Sequence, residues 1–254
     1  MLYSRTQSGY RGTTLIRVDG RKVDELRETR IIPGAQAYAE GSVIVETGQT
    51  KVLCAATIED GVPRFLKGTG QGWITAEYSM LPRATLTRTS RERGSSGLKG
   101  RTQEIQRLIG RSLRASTNLE ALGERTLTVD CDVLQADGGT RTASITGAYV
   151  AVYQAMRGLV KARKLKAMPL KCAVAATSVG VFGDEVLLDL NYEEDYRAQV
   201  DFNLVMTDQG EFVEVQGTAE DGAFSRASLN KVVDAGEAGI AKLFAIQNEV
   251  IENL

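Results

Sequence analysis

The chain has 254 residues, of which 43% are hydrophobic and 25% charged, a balance typical of globular proteins and unlike that of long disordered or collagen-like chains. The formal net charge is −1, so the overall charge does not predict a nucleic-acid partner. Histidine is absent from the sequence, which excludes Ser-His-Asp triads, Cys-His dyads, zinc sites built on histidine and ribonuclease mechanisms with a histidine acid–base pair.

The N-terminal segment, residues 1–16, is polar and irregular, and we interpret it as a loose arm. It lacks the apolar stretch of a secretory signal, and the chain contains no run of 18 or more apolar residues, so no contact with a membrane is expected. The three cysteines, Cys54, Cys131 and Cys172, are far apart in sequence. Their spacing indicates reduced thiols in a cytoplasmic protein rather than a disulfide framework or a zinc site.

Alternating apolar residues predict the strands of the first half. The alternation over 41–46 resumes over 52–58, after a Gly-containing turn at 47–50, which predicts a β-hairpin. Two further strands are predicted over 73–78 and 127–133. The second of these alternates with threonine and aspartate residues, so it is expected to have one polar face.

Two helices are predicted in the same half. The first begins near Thr102, which we take as its N-cap. Its apolar stripe is formed by Ile105, Leu108, Ile109 and Leu113. The second helix runs from about 142 to 159, after a glycine turn at 137–140.

The second half is again rich in strands and ends in a long helix. The candidate strands are 172–181, 186–190, 201–206 and 212–216. The helix begins at Arg226 and continues through the last residues. This order predicts an α+β fold of two halves with layered sheets and helices, and without a clear linker the halves should share an interface.

The first motif with chemical meaning is the segment 135–142, which contains Gly138-Gly139-Thr140-Arg141 between a predicted strand and a predicted helix. Glycines allow the backbone to come close to a ligand, the free N–H groups of a first helical turn attract anions, and an arginine adds a bidentate donor. These features favour a phosphate site. An ordinary strand-to-helix turn with a surface arginine has the same spacing, so the motif alone leaves both interpretations open.

A basic window lies between Arg83 and Arg114. It carries nine basic residues against Glu92 and Glu104, a local charge of +7 in a chain of −1. The basic residues are Arg83, Arg88, Arg91, Arg93, Lys99, Arg101, Arg107, Arg111 and Arg114. Such a cluster is typical of proteins that bind polyphosphate backbones, although a solvated helix face beside a basic loop would look the same. The loop tip at 94–97 is expected to be mobile.

An acidic set follows in the second half: Asp189, Glu193, Glu194, Asp195 and Asp201. Asp201 opens a predicted strand, and Asp195 lies six residues earlier in a polar connection. Carboxylates beside a phosphate site could hold Mg²⁺ or donate a proton to a leaving oxygen. Composition alone favours the simpler interpretation of solvated loop acids.

Long segments of the chain resemble the ribonuclease PH family of phosphorolytic exoribonucleases, and the resemblance extends from Arg17 to about Ile240. The strongest segments are 70–78 with 80–83, 100–111, 130–144 and 214–220. The resemblance implies an α+β fold of the ribonuclease PH type, like the second domain of ribosomal protein S5, with two βαβα-type halves and mixed sheets. These halves would be 17–165 and 166–254, following the arm 1–16. It also implies a homohexamer arranged as a trimer of dimers.

The resemblance also implies the activity. Inorganic phosphate would be the co-substrate in trimming the 3′ end of precursor tRNA, each step would release a nucleoside 5′-diphosphate, and the reaction would be reversible; ribosomal RNA would be a further substrate. Phosphate would be bound by Arg101, Gly139, Thr140 and Arg141. Asp195 and Asp201 would be the catalytic residues and would bind Mg²⁺. Arg83, Arg88 and Arg91 would guide the RNA.

The chain also departs from the family pattern. Asn191 and Tyr196 stand where family members more often have aspartate and serine, and Arg197 follows Tyr196 directly. Because these residues flank Asp195, a different metal affinity or rate is expected. The loop 91–99 is slightly long, and the arm 1–16 extends beyond the usual start.

Two other functions remain to be weighed. A non-catalytic ring subunit would only bind RNA, but such relatives tend to lose phosphate-site or acidic residues, and this chain retains Arg101, Arg141, Asp195 and Asp201. A metal-dependent hydrolytic nuclease would release monophosphates and would not need an anion site. The resemblance therefore favours phosphorolysis over both alternatives.

Overall fold

The computed structural model describes residues 17–92, 97–220 and 222–254. The predicted arm 1–16, most of the predicted loop tip at 94–97 and Arg93 of the basic window lie outside these residues. Within the described ranges, no helix is both long and apolar enough to cross a membrane.

The first half is built on a five-stranded sheet with the strand order β1-β2-β3-β5-β4. The strands are β1 (Thr29–Pro33), β2 (Gly41–Thr47), β3 (Thr50–Asp60), β4 (Trp73–Met80) and β5 (Arg125–Gln135). The hairpin prediction is confirmed, because β2 and β3 are antiparallel and Thr47 pairs with Thr50. Strand β1 was not predicted, since in this edge strand only Ile31 is buried and the alternation is too weak to detect.

The second half contains a four-stranded sheet with the order β7-β6-β8-β9. Its strands are β6 (Val174–Phe182), β7 (Glu185–Leu188), β8 (Val200–Thr207) and β9 (Phe212–Ala219). All three pairings in this sheet are antiparallel, whereas β4 and β5 pair in parallel in the first sheet. The first sheet is therefore mixed, and the second sheet is entirely antiparallel.

Five α-helices accompany the sheets in the described part of the chain: α1 (Gly100–Ala115), α2 (Leu119–Leu122), α3 (Thr140–Lys161), α4 (Tyr192–Arg197) and α5 (Arg226–Glu252). The predicted stripe of α1 is confirmed, since all four of its apolar residues are buried. The predicted N-cap is wrong. Helix α1 is preceded by Lys99, and the Thr102 hydroxyl, inside the first turn, donates to Glu92 at 3.0 Å.

Helix α4 replaces what the sequence suggested was an irregular polar connection. Asn191 and Glu194 form a capping box, in which each side chain accepts a hydrogen bond from the backbone N–H of the other. A six-residue polar helix has no apolar period to reveal it, so its cap was the available signal.

The two halves share one interior. Helix α3 lies against β2 and β3 of the first sheet and against β6 of the second. From α5, the fully buried Gln247 side chain donates to the carbonyl oxygens of Thr146 on α3, at 2.9 Å, and Val174 on β6, at 3.0 Å. The expectation of a shared interface is confirmed, and the Gln247 contact joins α5 to α3 and to the second sheet.

A close approach of β2 to α3 leads to a stability prediction. A Cβ atom on Gly41 would overlap the carbonyl oxygen of Ala151 and lie 2.8 Å from the backbone nitrogen of Ala155. Because both obstacles are helix backbone, Gly41→Ala must push the helix from the sheet, and we expect a loss of about 1–3 kcal/mol in the free energy of unfolding, measured by denaturant titration. Gly158→Ala on the same helix, where a Cβ meets nothing within 4 Å, is the control. Equal stabilities of the two variants would contradict the prediction.

Candidate active site

The glycine turn between β5 and α3 has the backbone that the anion-site interpretation requires. Gly138 and Gly139 have φ angles of 73° and 63°, in the left-handed region that favours glycine. Gly139 is the N-cap of α3 and supplies no side-chain hydrogen bond. The N–H groups at the start of α3 are therefore not capped by that residue and can attract an anion.

Two arginines lie in the first turns of helices in this half, and one of them directly follows the glycine turn. Arg141, in the first turn of α3, is largely buried; it donates to the Gln216 side chain of β9 and forms an ion pair with Glu104 of α1 at 3.4 Å. Arg101, in the first turn of α1, is exposed. Desolvation by burial raises the pKa values of Asp195 and Asp201, and the positive charges of both arginines partly offset this rise.

Asp195 lies on α4 and Asp201 on β8, and each carboxyl group is disfavoured in its charged form. Partial desolvation raises the pKa of Asp195, and the negative charge of Asp201 raises it further. Desolvation also raises the pKa of Asp201, with a smaller contribution from Glu220. Two negative charges in a partly desolvated environment repel each other, so binding of a cation or a proton stabilises the pair.

This pair of carboxylates fits a magnesium ion. Mg²⁺ usually takes one or two protein carboxylates and keeps several of its water ligands. Across 17–92, 97–220 and 222–254, no cluster of three or more acidic, cysteine or histidine residues is arranged as a metal site. The carboxylates of Asp195 and Asp201 are the side chains that could hold such an ion, with water and substrate oxygens as its other ligands.

The other three residues of the acidic set form ion pairs with arginines. Asp189 and Glu194 are buried and form ion pairs with Arg27 and Arg17, both at 2.7 Å. Glu193 is exposed and pairs with Arg197 at 3.0 Å. The interpretation as solvated acids therefore holds for Glu193 and is wrong for the two buried residues.

The three proposed RNA-guiding arginines, Arg83, Arg88 and Arg91, are all exposed on the loop that follows β4. Desolvation raises the pKa of Asp132 on β5, and the charge of Arg91 partly offsets this rise. A cleft of about 350 Å³ lies between this loop, β4, β5 and the start of α1, and Arg101 contributes to its lining. The exposed loop and Arg101 thus border the same cleft.

Part of the basic window on α1 has a structural role instead. Arg114 lies 4.5 Å from the centre of the Trp73 ring and donates to the carbonyl oxygen of Ile74 at 2.7 Å. Arg111 pairs with Glu214 of β9. These two arginines make contacts within the fold. The basic residues that remain for binding a ligand are those of the loop, Arg101 and Arg107.

Sequence reasoning missed a tyrosine that contacts the first residue of α3, directly after the glycine turn. The hydroxyl of Tyr78, on β4, lies 2.9 Å from the hydroxyl oxygen of Thr140, and both side chains are buried. Burial raises the pKa of Tyr78, so its hydroxyl remains protonated and able to donate. The signal in the sequence was a tyrosine at an inward-facing strand position, because a buried tyrosine hydroxyl usually needs a hydrogen-bond partner.

Both parts of the chain match models of one family. Residues 25–157 match the first domain of the 3′ exoribonuclease family, and residues 172–239 match its second domain. A protein of Dehalococcoides mccartyi named Ribonuclease PH is 56% identical over 236 residues, covering 93% of this chain and 98% of the relative. A Bacillus cereus protein of the same name is 57% identical over 240 residues, covering 94% and 98%.

Solved structures with the same fold are more distant in sequence. Rice (Oryza sativa) Rrp46 is 20% identical with a TM-score of 0.76, covering 92% of this chain and all of that chain. A chain of the Archaeoglobus fulgidus exosome, solved with RNA bound to its active site, is 21% identical with a TM-score of 0.76, covering 90% and 91%. At these identities the similarity establishes the fold, and the fold expected from sequence is confirmed.

Proposed function

The chain belongs to the 3′ exoribonuclease family, and from this premise we propose how its residues carry out the reaction. It is a phosphorolytic exoribonuclease of the ribonuclease PH type, which shortens RNA from the 3′ end and trims precursor tRNA. The observation that supports the residue assignments best is the contact of Arg141, in the first turn of α3, with Gln216 of β9, the strand that pairs with β8 and its Asp201.

The anion turn binds the attacking phosphate in this proposal. Arg101, Arg141 and the backbone N–H groups of Gly139 and Thr140 hold inorganic phosphate next to the last phosphodiester of the RNA. A phosphate oxygen attacks the phosphorus of the terminal nucleotide, and the bond from that phosphorus to the preceding 3′ oxygen breaks. The products are a nucleoside 5′-diphosphate and an RNA shortened by one residue. Because phosphate is the nucleophile, the protein mainly positions two anions and neutralises their charge.

The aspartate pair serves the leaving group. The departing 3′ oxygen needs a proton, and a carboxyl group with a raised pKa keeps its proton closer to neutral pH than an ordinary aspartate does. We assign this role to the pair Asp195 and Asp201 without dividing it between them. The same two carboxylates would hold Mg²⁺, and the ion would supply positive charge to offset that of the reacting phosphates.

RNA is guided to the site by the exposed Arg83, Arg88 and Arg91, which contact the phosphate backbone in this proposal. Their loop borders the cleft that reaches Arg101. Contacts of this kind are independent of sequence and weaken as salt rises, which suits an enzyme that removes successive nucleotides. Precursor tRNA is the main substrate, with ribosomal RNA as a second class.

We further propose the division and assembly of the chain. The halves are 17–165 and 166–254; the two sheets and the two family-domain matches fall on either side of this boundary. The chain assembles as a hexameric trimer of dimers in the cytoplasm. Exposed apolar residues on the edge strand β9, Phe212 and Val215, support an assembly. Light scattering should give about six times the 27.5 kDa of one chain.

Tyr78 is expected to support phosphate binding through Thr140. If the tyrosine donates to the threonine oxygen, the threonine proton is free to point at phosphate. Removing the hydroxyl in Tyr78→Phe should therefore raise the KM for phosphate by about 3- to 10-fold, the value of one hydrogen bond, and leave the KM for RNA unchanged in steady-state assays. Tyr153→Phe on α3 is the control. An unchanged phosphate KM in Tyr78→Phe would contradict the role.

The experiment that tests the proposed function is 3′-end trimming of a precursor tRNA in Mg²⁺, with and without inorganic phosphate, with identification of the released nucleotide. Phosphate-dependent release of nucleoside diphosphates is expected. Release of monophosphates without phosphate would indicate hydrolysis and overturn the anion-site assignment. Bound but untrimmed RNA would indicate a non-catalytic subunit and draw attention to Tyr196 and Arg197.

A further inference from the structure

A buried arginine from the segment that precedes β1 reaches the site between the two halves. The Arg27 side chain is almost entirely buried, and its Nη1 donates to the carbonyl oxygen of Asp137, in the glycine turn, at 2.5 Å. Its Nη2 and Nε donate to the two carboxylate oxygens of Asp189, at 2.7 and 3.1 Å. One guanidinium thus bonds both the turn that begins α3 and the residue that follows β7.

Asp189 is held in an unusual conformation by this contact. Its φ angle is 55°, in the left-handed region that aspartate tolerates better than most residues, and its carboxylate also accepts the backbone N–H of Arg27 at 2.8 Å. Two residues later, Asn191 begins the capping box of α4, the helix that carries Asp195. Asp189 is thus two residues from the start of α4, and Arg17 also joins the two by donating to the Asp189 carbonyl oxygen, at 2.9 Å, and to the Glu194 carboxylate, at 2.7 Å.

The glycine turn and the start of α4 lie directly against each other. A Cβ on Gly138 would lie 2.6 Å from the carbonyl oxygen of Leu190, and one on Gly139 would lie 2.8 Å from Nη2 of Arg27. The backbone N–H of Tyr192 donates to the Asp137 carboxylate at 3.3 Å. The guanidinium therefore packs against Gly139, while the backbone at the start of α4 packs against Gly138.

We propose that Arg27 is a positioning residue, which holds the phosphate-binding turn (residues 137–139) in register with the acidic helix α4. The inference rests on the proposed function and deepens it. Arg27 has no place in substrate binding; it acts through Asp137 and Asp189. Attack by phosphate on RNA requires the anion site and the acid to be aligned, and a displacement of 1 Å can cost a factor of a hundred in rate.

Lysine cannot replace this arginine in the same role. Its ammonium group keeps the positive charge but lacks the planar fork that bonds two carboxylate oxygens and a carbonyl oxygen at once. Arg27→Lys therefore removes the alignment while retaining a charge near Asp195, so any change in phosphate use comes from geometry.

The test compares steady-state kinetics of four full-length variants with the wild type, with phosphate and RNA varied separately and melting temperatures recorded. Arg27→Lys and Asp189→Asn remove the contact from either side. Arg30→Lys is the matched chemical control, since Arg30 is exposed and pairs with Glu28 at the surface. Gln247→Met is the stability control, because it removes two buried hydrogen bonds between α5, α3 and β6.

We expect Arg27→Lys to raise the KM for phosphate by on the order of tenfold and to lower kcat, with the KM for RNA within twofold of wild type. Asp189→Asn should change the same constants in the same direction. Gln247→Met should lower the melting temperature and leave both KM values unchanged, and Arg30→Lys should change nothing.

An unchanged phosphate KM in folded Arg27→Lys would overturn the positioning role, because a purely structural residue reduces the amount of active enzyme without altering KM. If that variant does not fold, Asp189→Asn decides by the same criterion. A wild type that trims RNA without phosphate would overturn the proposed function, and this inference with it.

Discussion

Replacing Arg141 with alanine is expected to lower kcat/KM for phosphate by about 10²–10³-fold, while RNA binding changes far less. Arg141 is largely buried beside the anion turn, where a charged donor is poorly replaced by water. Removing one preorganised donor of this kind typically costs about 2.7–4 kcal/mol, which corresponds to that factor. The measurement is the trimming rate over a range of phosphate concentrations, together with an RNA-binding titration without phosphate.

Arg111→Ala is the matched control for this prediction. Arg111 is also an α-helical arginine that contacts β9, through Glu214, but it is exposed and lies outside the anion turn. It should leave kcat/KM for phosphate unchanged. Equal losses of phosphate use and RNA affinity in Arg141→Ala would assign that arginine to RNA rather than to phosphate.

Replacing Asp195 with asparagine is expected to lower kcat by about 10²–10⁴-fold, the range for loss of a general acid or base. Desolvation and the charge of Asp201 raise the pKa of Asp195, so the charged carboxylate is less favourable in the folded protein than in the unfolded chain. Asp195→Asn removes that charge with little change of shape. At pH 7 and without added metal, the variant should therefore melt at the same temperature as wild type or slightly above it.

The difference in melting temperature between Asp195→Asn and wild type should depend on pH. The cost of the charged carboxylate is present above the raised folded-state pKa and disappears below the ordinary aspartate pKa, where Asp195 is protonated in both states. The difference in melting temperature should thus be largest near neutral pH and vanish as the pH falls. The control is Glu193→Gln on the same helix, where the exposed pair with Arg197 contributes little. A large destabilisation by Asp195→Asn at pH 7 would contradict the assignment.

The departures from the family pattern can be reconsidered in the structure. Asn191 caps α4 by accepting the backbone N–H of Glu194 at 3.0 Å, a bond that aspartate would also accept. Most of the Tyr196 and Arg197 side chains face solvent. The cap is therefore retained, and the expected effect of these departures on metal affinity or rate stays a prediction, to be measured with Tyr196→Ser.

Local information in the sequence was enough for most of the elements and for the backbone of the glycine turn. The alternation in β2, β3 and β5 and the apolar stripe of α1 follow from burial on one face, which leaves its period in the sequence. The glycines at 138 and 139 indicate a left-handed backbone for a similar local reason. The resemblance from Arg17 to about Ile240 indicates the same family as the two domain matches.

The tertiary structure decided which charged residues serve the site and which hold it together. Arg17 and Glu194 are 177 residues apart, and Arg27 and Asp189 are 162 apart, so no spacing rule links them. By sequence alone Asp189, Glu194 and Asp195 are neighbouring acids of one kind. Folding buries the first two against arginines and leaves the third beside Asp201, because the chemistry of a carboxylate depends on its burial and the charges around it.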